Sequence, residues 1–345
     1  MSRVTSLSVL LVILTVPLRA GSTDADSQQQ DLCPCPPGVK PPVQPQAAPP
    51  RPVVLDRPQM TGSVTGYVEN AIVGTQIRFR VDNGFGNRVP DRAEFFYAKC
   101  GCYRFLQGDP FDPDAPGPGG PGEVESNLQF QSLFFDAEYA LHPRVSVFGE
   151  FPFRALRGVE LPTLGGFSDL RAGVKYAFHT SENHSLTAQV RNYFPTGDAR
   201  RGMGTNHYSI EPAVLYFQRL TPQLTLESQF GSWFPVGGSA GVPVNSSDGF
   251  AGKVLFYGAG AGYDLTPASQ FRVTPVLEFV GWRVLDGFQT AAPADASGTN
   301  IANLKIGMRL GGRGPGSFYV SYGIALTDQS WYDDIVRVEY RYVFE

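Results

Sequence analysis

Hydrophobic and polar residues alternate singly along most of this chain. In Asp334–Phe344, Val336, Val338, Tyr340, Tyr342 and Phe344 are apolar, and Arg337, Glu339 and Arg341 between them are charged. Side chains alternate faces along a strand, so such a segment has one oily and one ionic face. The same period recurs many times. Ile77, Phe79 and Val81 alternate with Gln76, Arg78, Arg80 and Asp82; Leu170, Ala172, Val174, Tyr176 and Phe178 with Asp169, Arg171, Gly173 and Lys175; Leu186, Ala188 and Val190 with Thr187, Gln189 and Arg191. Leu224, Leu226 and Phe230 alternate with Thr225, Glu227 and Gln229. Leu255, Tyr257, Ala259, Ala261 and Tyr263 do so with Phe256, Gly258, Gly260 and Gly262. Further runs are Phe271 to Phe279 around Arg272, Thr274 and Glu278, Leu304 to Leu310 around Lys305, Gly307 and Arg309, and Phe318 to Leu326. A period of two, rather than 3.6, predicts strands. Three segments fit less cleanly. Residues 128–141 change parity at Phe134-Phe135; Arg144–Phe153 and Tyr208–Phe217 alternate with interruptions, and the latter sets Ile210, Val214 and Tyr216 opposite Ser209 and Glu211.

The connections alternate between two kinds. Tight ones are expected at 141–144, 179–184, 219–223, 264–269 and 311–316. Mostly longer ones are expected at 154–168, 195–207, 235–249 and 285–299. Short turns at one rim and long loops at the other are the habit of outer-membrane barrels. Eleven strands are expected between Leu128 and Phe344, and a barrel with both termini on one side needs an even number. The segment Thr75–Asp82 is the better candidate for the remaining strand and Ala93–Cys102 the weaker one. The prediction is an all-β fold, a single closed antiparallel transmembrane β-barrel of 12 strands, with 14 as the alternative if a segment near Val64 also pairs.

A soluble barrel also alternates, with apolar residues inside. Twelve strands enclose more space than the eight that side chains can just fill, and the polar faces here offer Gly, Ser, Ala or single charges. Aromatic residues gather near strand ends, among them Tyr176, Phe178, Phe194, Tyr208, Tyr263, Tyr342 and Phe344, as in the interfacial girdles of membrane barrels. The expectation is therefore oily side chains in lipid and ionic ones around an aqueous lumen.

Composition agrees. Charged residues make up 17% of the 345, below the roughly 25% of soluble domains, while Gly (39), Phe (25) and Tyr (15) are plentiful. No later segment has an apolar run long enough for a spanning helix. The net charge of −4 argues against a nucleic-acid partner. Residues 1–20 read as a signal peptide, with Arg3, an apolar run Leu7–Val16 and Ala20 before the cleavage point; an uncleaved anchor is the alternative, and Leu18 sits where a small residue is preferred. Residues 21–61 are polar and then proline-rich, which favours an extended periplasmic tether, and 62–345 form the barrel. Cys33, Cys35, Cys100 and Cys102, two closely spaced pairs, are disulfide candidates in an oxidising compartment, with no pairing deducible. Their one-residue spacing is tighter than usual for zinc.

The stretch Gly166-Phe167-Ser168-Asp169-Leu170-Arg171-Ala172-Gly173-Val174-Lys175-Tyr176 resembles the bacterial outer-membrane family named for the putative meta pathway of phenol degradation. Pro195-Thr196-Gly197-Asp198, followed by Gly202, Gly204 and His207, is similar to that family's next loop. The resemblance covers about 128–344. It implies a transporter-like barrel and hints at aromatic or hydrophobic solutes. The chain departs from it in the proline-rich N-terminal region, in Arg92–Cys100, and in a penultimate Phe344 where a terminal Phe is usual.

For chemistry, His142, His179 and His184 fall in the short turns. His207 has Ser209 and Asp198 near it in sequence but no nucleophile motif. No metal spacing or phosphate-binding loop appears, so no catalytic residue, metal or cofactor is assigned and no enzyme activity is expected. The inward charges are the candidate pore lining: Arg78, Arg80, Asp169, Arg171, Lys175, Arg191, Glu211, Glu227, Arg272, Glu278, Lys305, Arg309, Arg337, Glu339 and Arg341. They read either as cross-strand ion pairs that hold the barrel's shape or as a conduit whose field sorts solutes. The expected function is passive diffusion of small solutes across the outer membrane. The alternative is a closed structural or surface-interaction barrel. Membrane lipid and a small-molecule solute are the expected partners.

Overall fold

The computed structural model describes residues 63–87, 127–158, 163–197, 203–205, 207–236, 252–266, 271–286, 288–289, 294–295, 297–312 and 314–344. The expected signal peptide and tether, the segment Ala93–Cys102 and Asp198 lie outside the described residues. So do all four candidate disulfide cysteines, Cys33, Cys35, Cys100 and Cys102.

The strands are β1 (Thr75–Asn87), β2 (Leu128–His142), β3 (Val145–Gly158), β4 (Leu164–Phe167), β5 (Leu170–Thr180), β6 (His184–Phe194), β7 (Tyr208–Arg219), β8 (Leu224–Val236), β9 (Val254–Tyr263), β10 (Phe271–Val284), β11 (Phe288–Gln289), β12 (Ala294–Asp295), β13 (Asn300–Gly312), β14 (Gly316–Ala325) and β15 (Asp334–Phe344). Each of the long strands pairs antiparallel with its neighbours, and β1 pairs with β15 to close the cylinder. Both β4 and β5 pair with β3 and act as one interrupted strand; β11 and β12 form a separate two-stranded ribbon. The wall therefore has twelve strands, a closed antiparallel transmembrane β-barrel, and no helix occurs among the described residues. The first strand is the predicted 75–82 segment, extended to Asn87.

Burial settles which face is which. Ile306 is 62% exposed, Phe230 56% and Phe318 54%, whereas Lys305, Glu278 and Glu339 have no exposed surface. Every wall strand carries outward apolar side chains, and a belt of that extent belongs in lipid. Outward rings also pack across strands: Phe79 lies 5.0 Å from Phe135, its register partner, and Phe135 lies 6.3 Å from Phe151. Such pairs help to hold register.

Three expectations need correction. The parity of 128–141 does not change: Phe135 faces lipid and Phe134 points into the lumen beneath Arg80. The loop expected at 154–168 is largely strand, because β3 runs on to Gly158 and β4 begins at Leu164. The lumen is also less watery than predicted. Leu215 and Phe217, on the same inward face of β7 as Ser209 and Glu211, are apolar and pack with Ala71 and Ile72.

Ala71 and Ile72 belong to a stretch that is not in the wall. Residues 63–74 lie inside the cylinder ahead of β1, so the segment near Val64 adds no strand. The chain bends at Gly66–Val68. Ser63–Thr65 meet Glu227, Arg309 and Arg341, which lie close to the short-turn ends of β8, β13 and β15. The bend meets Glu278 and Arg337 further in. Ala71 returns to Ser185 and Thr187 at the short-turn end of β6. The segment thus enters and leaves by the short-turn rim and fills that half of the lumen.

Candidate functional site

An irregular chain inside a barrel must find partners for every backbone N–H and C=O. Here the wall side chains supply them. Glu227 accepts from the Val64 and Thr65 N–H groups (2.6 and 3.2 Å) and from the Ser63 and Thr65 hydroxyls. Glu278 accepts from the N–H groups of Gly66, Tyr67 and Val68 (3.0, 2.8 and 2.8 Å) and from the Tyr319 hydroxyl (2.5 Å). Gln229 accepts from the Glu69 N–H. Cations take the carbonyls: Arg309 donates to Val64 and Thr65, Arg341 to Thr65, Arg337 to Gly66 and Lys175 to Asn70. Ser185 and Thr187 donate to Ala71. The wall reads the segment mainly through its main chain.

Two side chains of the segment add charge and shape. Glu69 pairs with Arg191 at 2.8 Å and Arg78 at 3.7 Å. Burial pushes the Glu69 carboxyl up, but Arg191, Arg78, Lys175 and Arg80 override it and hold it well below the usual carboxylate range. The Tyr67 ring, at the bend, lies between two cations, with the Arg337 guanidinium 3.6 Å and the Lys305 ammonium 4.5 Å from its centre. Lys305 also donates to the Tyr332 hydroxyl (2.6 Å), in the connection after β14.

Glycines make the room. Beyond Val254 and Phe256, the inward face of β9 is Gly258, Gly260 and Gly262; a Cβ on Gly260 would stand 2.5 Å from the Thr65 side chain, and one on Gly262 would stand 2.6 Å from that of Val64. Glycine in a strand often marks a close approach of another backbone. Gly260→Val should therefore unseat Ser63–Thr65 without touching the ladder. The expected outcome is cleavage within residues 63–74 by added protease in the folded variant and none in the parent.

Above the bend, toward the long-loop rim, is a cavity of about 270 Å³. Tyr67 and Glu69 form its floor. Its walls mix arginines (Arg80, Arg154, Arg171, Arg337) with aromatic rings (Phe130, Phe134, Trp282, Trp331, Tyr332). The guanidiniums lie on rings: Arg80 is 3.9 Å from the centre of Phe134, Arg154 4.8 Å from that of Phe130, and Arg171 4.9 Å from that of Tyr193. Rings inside the lumen are what hydropathy missed; some stand beside cations, and Tyr193, Trp331 and Tyr332, with Phe130 and Trp282 against them, also form an apolar cluster with Val254, Val284, Ile301 and Ile335.

Most of the predicted lining residues come together. Arg78, Glu227, Glu278, Arg309, Arg337, Glu339, Arg341, Lys175 and Arg191 hold the segment directly or brace those that do; Arg78, for instance, donates to Asp136, and Glu339 accepts from Arg309 and Arg341. Arg80, Arg171, Arg191, Glu211 and Arg337 line the cavity. Glu211 is bound by Arg191 and Tyr193. Two differ. Arg272 is exposed at the short-turn rim and paired with Asp264 at 3.0 Å. Asp169 lies between β4 and β5, touches the cavity edge, and accepts from the backbone of Gly197 and Thr205 and from the Thr205 hydroxyl. It ties down the long connection before β7.

His207 and Ser209 do meet, with Nδ1 and Oγ 3.0 Å apart. Both are buried against the wall beside Trp233, and the Ser209 hydroxyl has no surface from which to attack a substrate. Burial pushes the His207 imidazole below its usual value. His179 and His184 stack at 4.4 Å by the short turns.

Comparison with known proteins bears on the wall rather than on its contents. Residues 133–235 match the family model described as "Putative MetA-pathway of phenol degradation". That span carries the family's pattern. It runs from β2 to β8 and includes the Gly166–Tyr176 stretch and the loop after it, so the resemblance seen in those motifs holds. No curated protein is a significant match. Among solved structures, an outer membrane channel from Pseudomonas putida F1 is 14% identical, with 81% of this chain and 99% of that one covered and a TM-score of 0.47. The NanC porin is 8% identical (79% and 100% covered, TM-score 0.43) and the KdgM porin 9% (78% and 99%, TM-score 0.39). Likeness at this level says nothing about what passes through this barrel.

Proposed function

We propose that this protein is an outer-membrane channel for small solutes whose periplasmic half is closed by its own residues 63–74. The observation that carries the reading is the contrast between the two halves of the lumen. One is filled by a segment held through its main chain, and the other keeps a cavity of about 270 Å³. Polar bonds to a segment outside the ladder can be exchanged for water without breaking the wall. Passive diffusion then requires the segment to move. The short-turn rim faces the periplasm, as in other membrane barrels, and residues 21–61 tether the segment on that side after a signal peptide is removed. Aromatic lining supports small aromatic solutes as the traffic. The predicted lining charges act as anchors for the segment and as the rim of the path.

The dense bonding in the filled half also favours a second reading, a permanently closed structural barrel. One experiment separates them. In a planar bilayer, protein lacking residues 63–70 should give steady conductance well above the full chain's brief openings. Folded protein that stays silent with the segment removed would leave only the closed barrel.

A further inference from the structure

One cation of the cavity lacks a hydrogen-bonded acid among the described residues. Arg80 is buried, 6% exposed, and lines the cavity. Its nearest acid is Asp82, with an oxygen 3.7 Å from Nε. Asp82 is already engaged through both oxygens by Arg337, at 2.6 and 2.7 Å. The Arg80 Nε is buried without an acceptor among the described residues. Of the other carboxylates nearby, Glu69 and Glu211 are taken by Arg191 and Asp169 by Gly197 and Thr205, while Asp136 binds Arg78 through one oxygen and makes no hydrogen bond to Arg80. A buried guanidinium without an acceptor is costly, and its fork matches a carboxylate.

The surroundings restrict what that acceptor could be attached to. One face of Arg80 is covered by the Phe134 ring and its Nε is enclosed, which leaves the edge of the two terminal nitrogens for an in-plane carboxylate. Beyond it the lining is aromatic: Phe130, Trp331 and Tyr332, with the Phe130 and Tyr332 rings 6.0 Å apart. The cavity lies at the small end for ligand pockets, roughly 300–1,000 Å³, so it has room for a single ring.

We infer that the cavity is a binding site for a one-ring aromatic carboxylate, the carboxylate on Arg80 and the ring among Phe130, Phe134 and Trp331. This assignment rests on the channel reading, of which it names the solute class. Binding on the loop side of the segment puts the solute against Tyr67, the residue at the bend.

The probe is radiolabelled benzoate, in equilibrium dialysis against the folded full-length protein in detergent, with micelles alone as the blank. Saturable binding is expected. Benzyl alcohol, which keeps the ring and loses the charge, and acetate, which keeps the charge and loses the ring, should each compete about tenfold or more less well than unlabelled benzoate, the cost of a lost charge-assisted bond or a lost ring contact. Arg80→Gln, checked for folding by its fast migration on an unboiled gel, should weaken binding by a similar factor, and Arg80→Lys by less. Benzyl alcohol competing as well as benzoate would overturn the assignment, with no variant needed. So would acetate doing so, or Arg80→Gln binding unchanged. The bilayer experiment on protein lacking residues 63–70 runs independently: conductance without benzoate binding removes the carboxylate site alone, and benzoate binding without conductance removes the channel and leaves the site in place.

Discussion

Replacing Glu278 by alanine should turn a mostly closed barrel into a mostly open one. The Glu278 carboxylate accepts from three consecutive backbone N–H groups, Gly66, Tyr67 and Val68, at the innermost point of the segment. Each buried donor left without an acceptor costs about 1–3 kcal/mol. Three together outweigh what the bend gains by staying put, because water can serve the same groups once the bend leaves the lumen. The Tyr319 hydroxyl loses its partner too, which loosens the ring against which Gly66 packs. Bilayer recordings should show long openings in Glu278→Ala where the parent shows brief ones. Glu278→Gln should fall between, since one oxygen still accepts while the new amide hydrogens face donors. A trace for Glu278→Ala indistinguishable from the parent's would mean that the bend is held by the remaining anchors alone.

The second large effect concerns the seam. Asp82 on β1 and Arg337 on β15 are register partners across the closing pair of strands, and both are buried. Arg337 binds both Asp82 oxygens, donates to the Gly66 carbonyl and covers Tyr67. Arg337→Met strips the main counter-charge from Asp82, and breaking a buried pair from one side costs roughly 3–5 kcal/mol. Asp82→Leu should cost less, because Arg337 keeps the Gly66 carbonyl and the Tyr67 face. The double variant should regain part of what Arg337→Met loses, since Asp82 is no longer left as an unpaired buried charge, although Arg80 then loses its nearest acid. The readout is the temperature at which the fast-migrating folded band disappears from detergent gels. Losses that simply add in the double variant would show that the two groups do not act as a pair.

The wall was legible from the chain alone because a membrane barrel writes its solvents into its strands. Ile77/Arg78 and Val338/Glu339 assign faces without help from any neighbour, and lipid outside tolerates no exception that water would. The twelve strands, their first member and the alternation of short and long connections follow. The contents of the lumen were far harder to read. Residues 63–74 carry no period, and the wall grips them by backbone groups that every sequence possesses. Phe134, where a change of parity is expected, and Phe217 both point inward, because a guanidinium face and the segment itself provide partners that lipid would otherwise supply. One signal was present. Gly258, Gly260 and Gly262 share the inward face of β9, and three small residues in line on the inside of a wide barrel mark a lane kept clear for another chain. Arg78 and Arg341 give a second: as like charges in register across the seam, they need acids from elsewhere, and Glu69, Asp136 and Glu339 provide them.

Residue 74 leads straight into the first residue of β1, and β1 is half of the seam. The anchors of the inner segment come from β5, β6, β8, β10, β13 and β15, so they encircle a common space only when the last strand has met the first. The full set of anchors therefore exists only in the closed barrel, which ties the seating of the segment to the meeting of the seam. A chain that closes with the segment left outside must draw it in later through the short-turn mouth, past side chains already committed to one another.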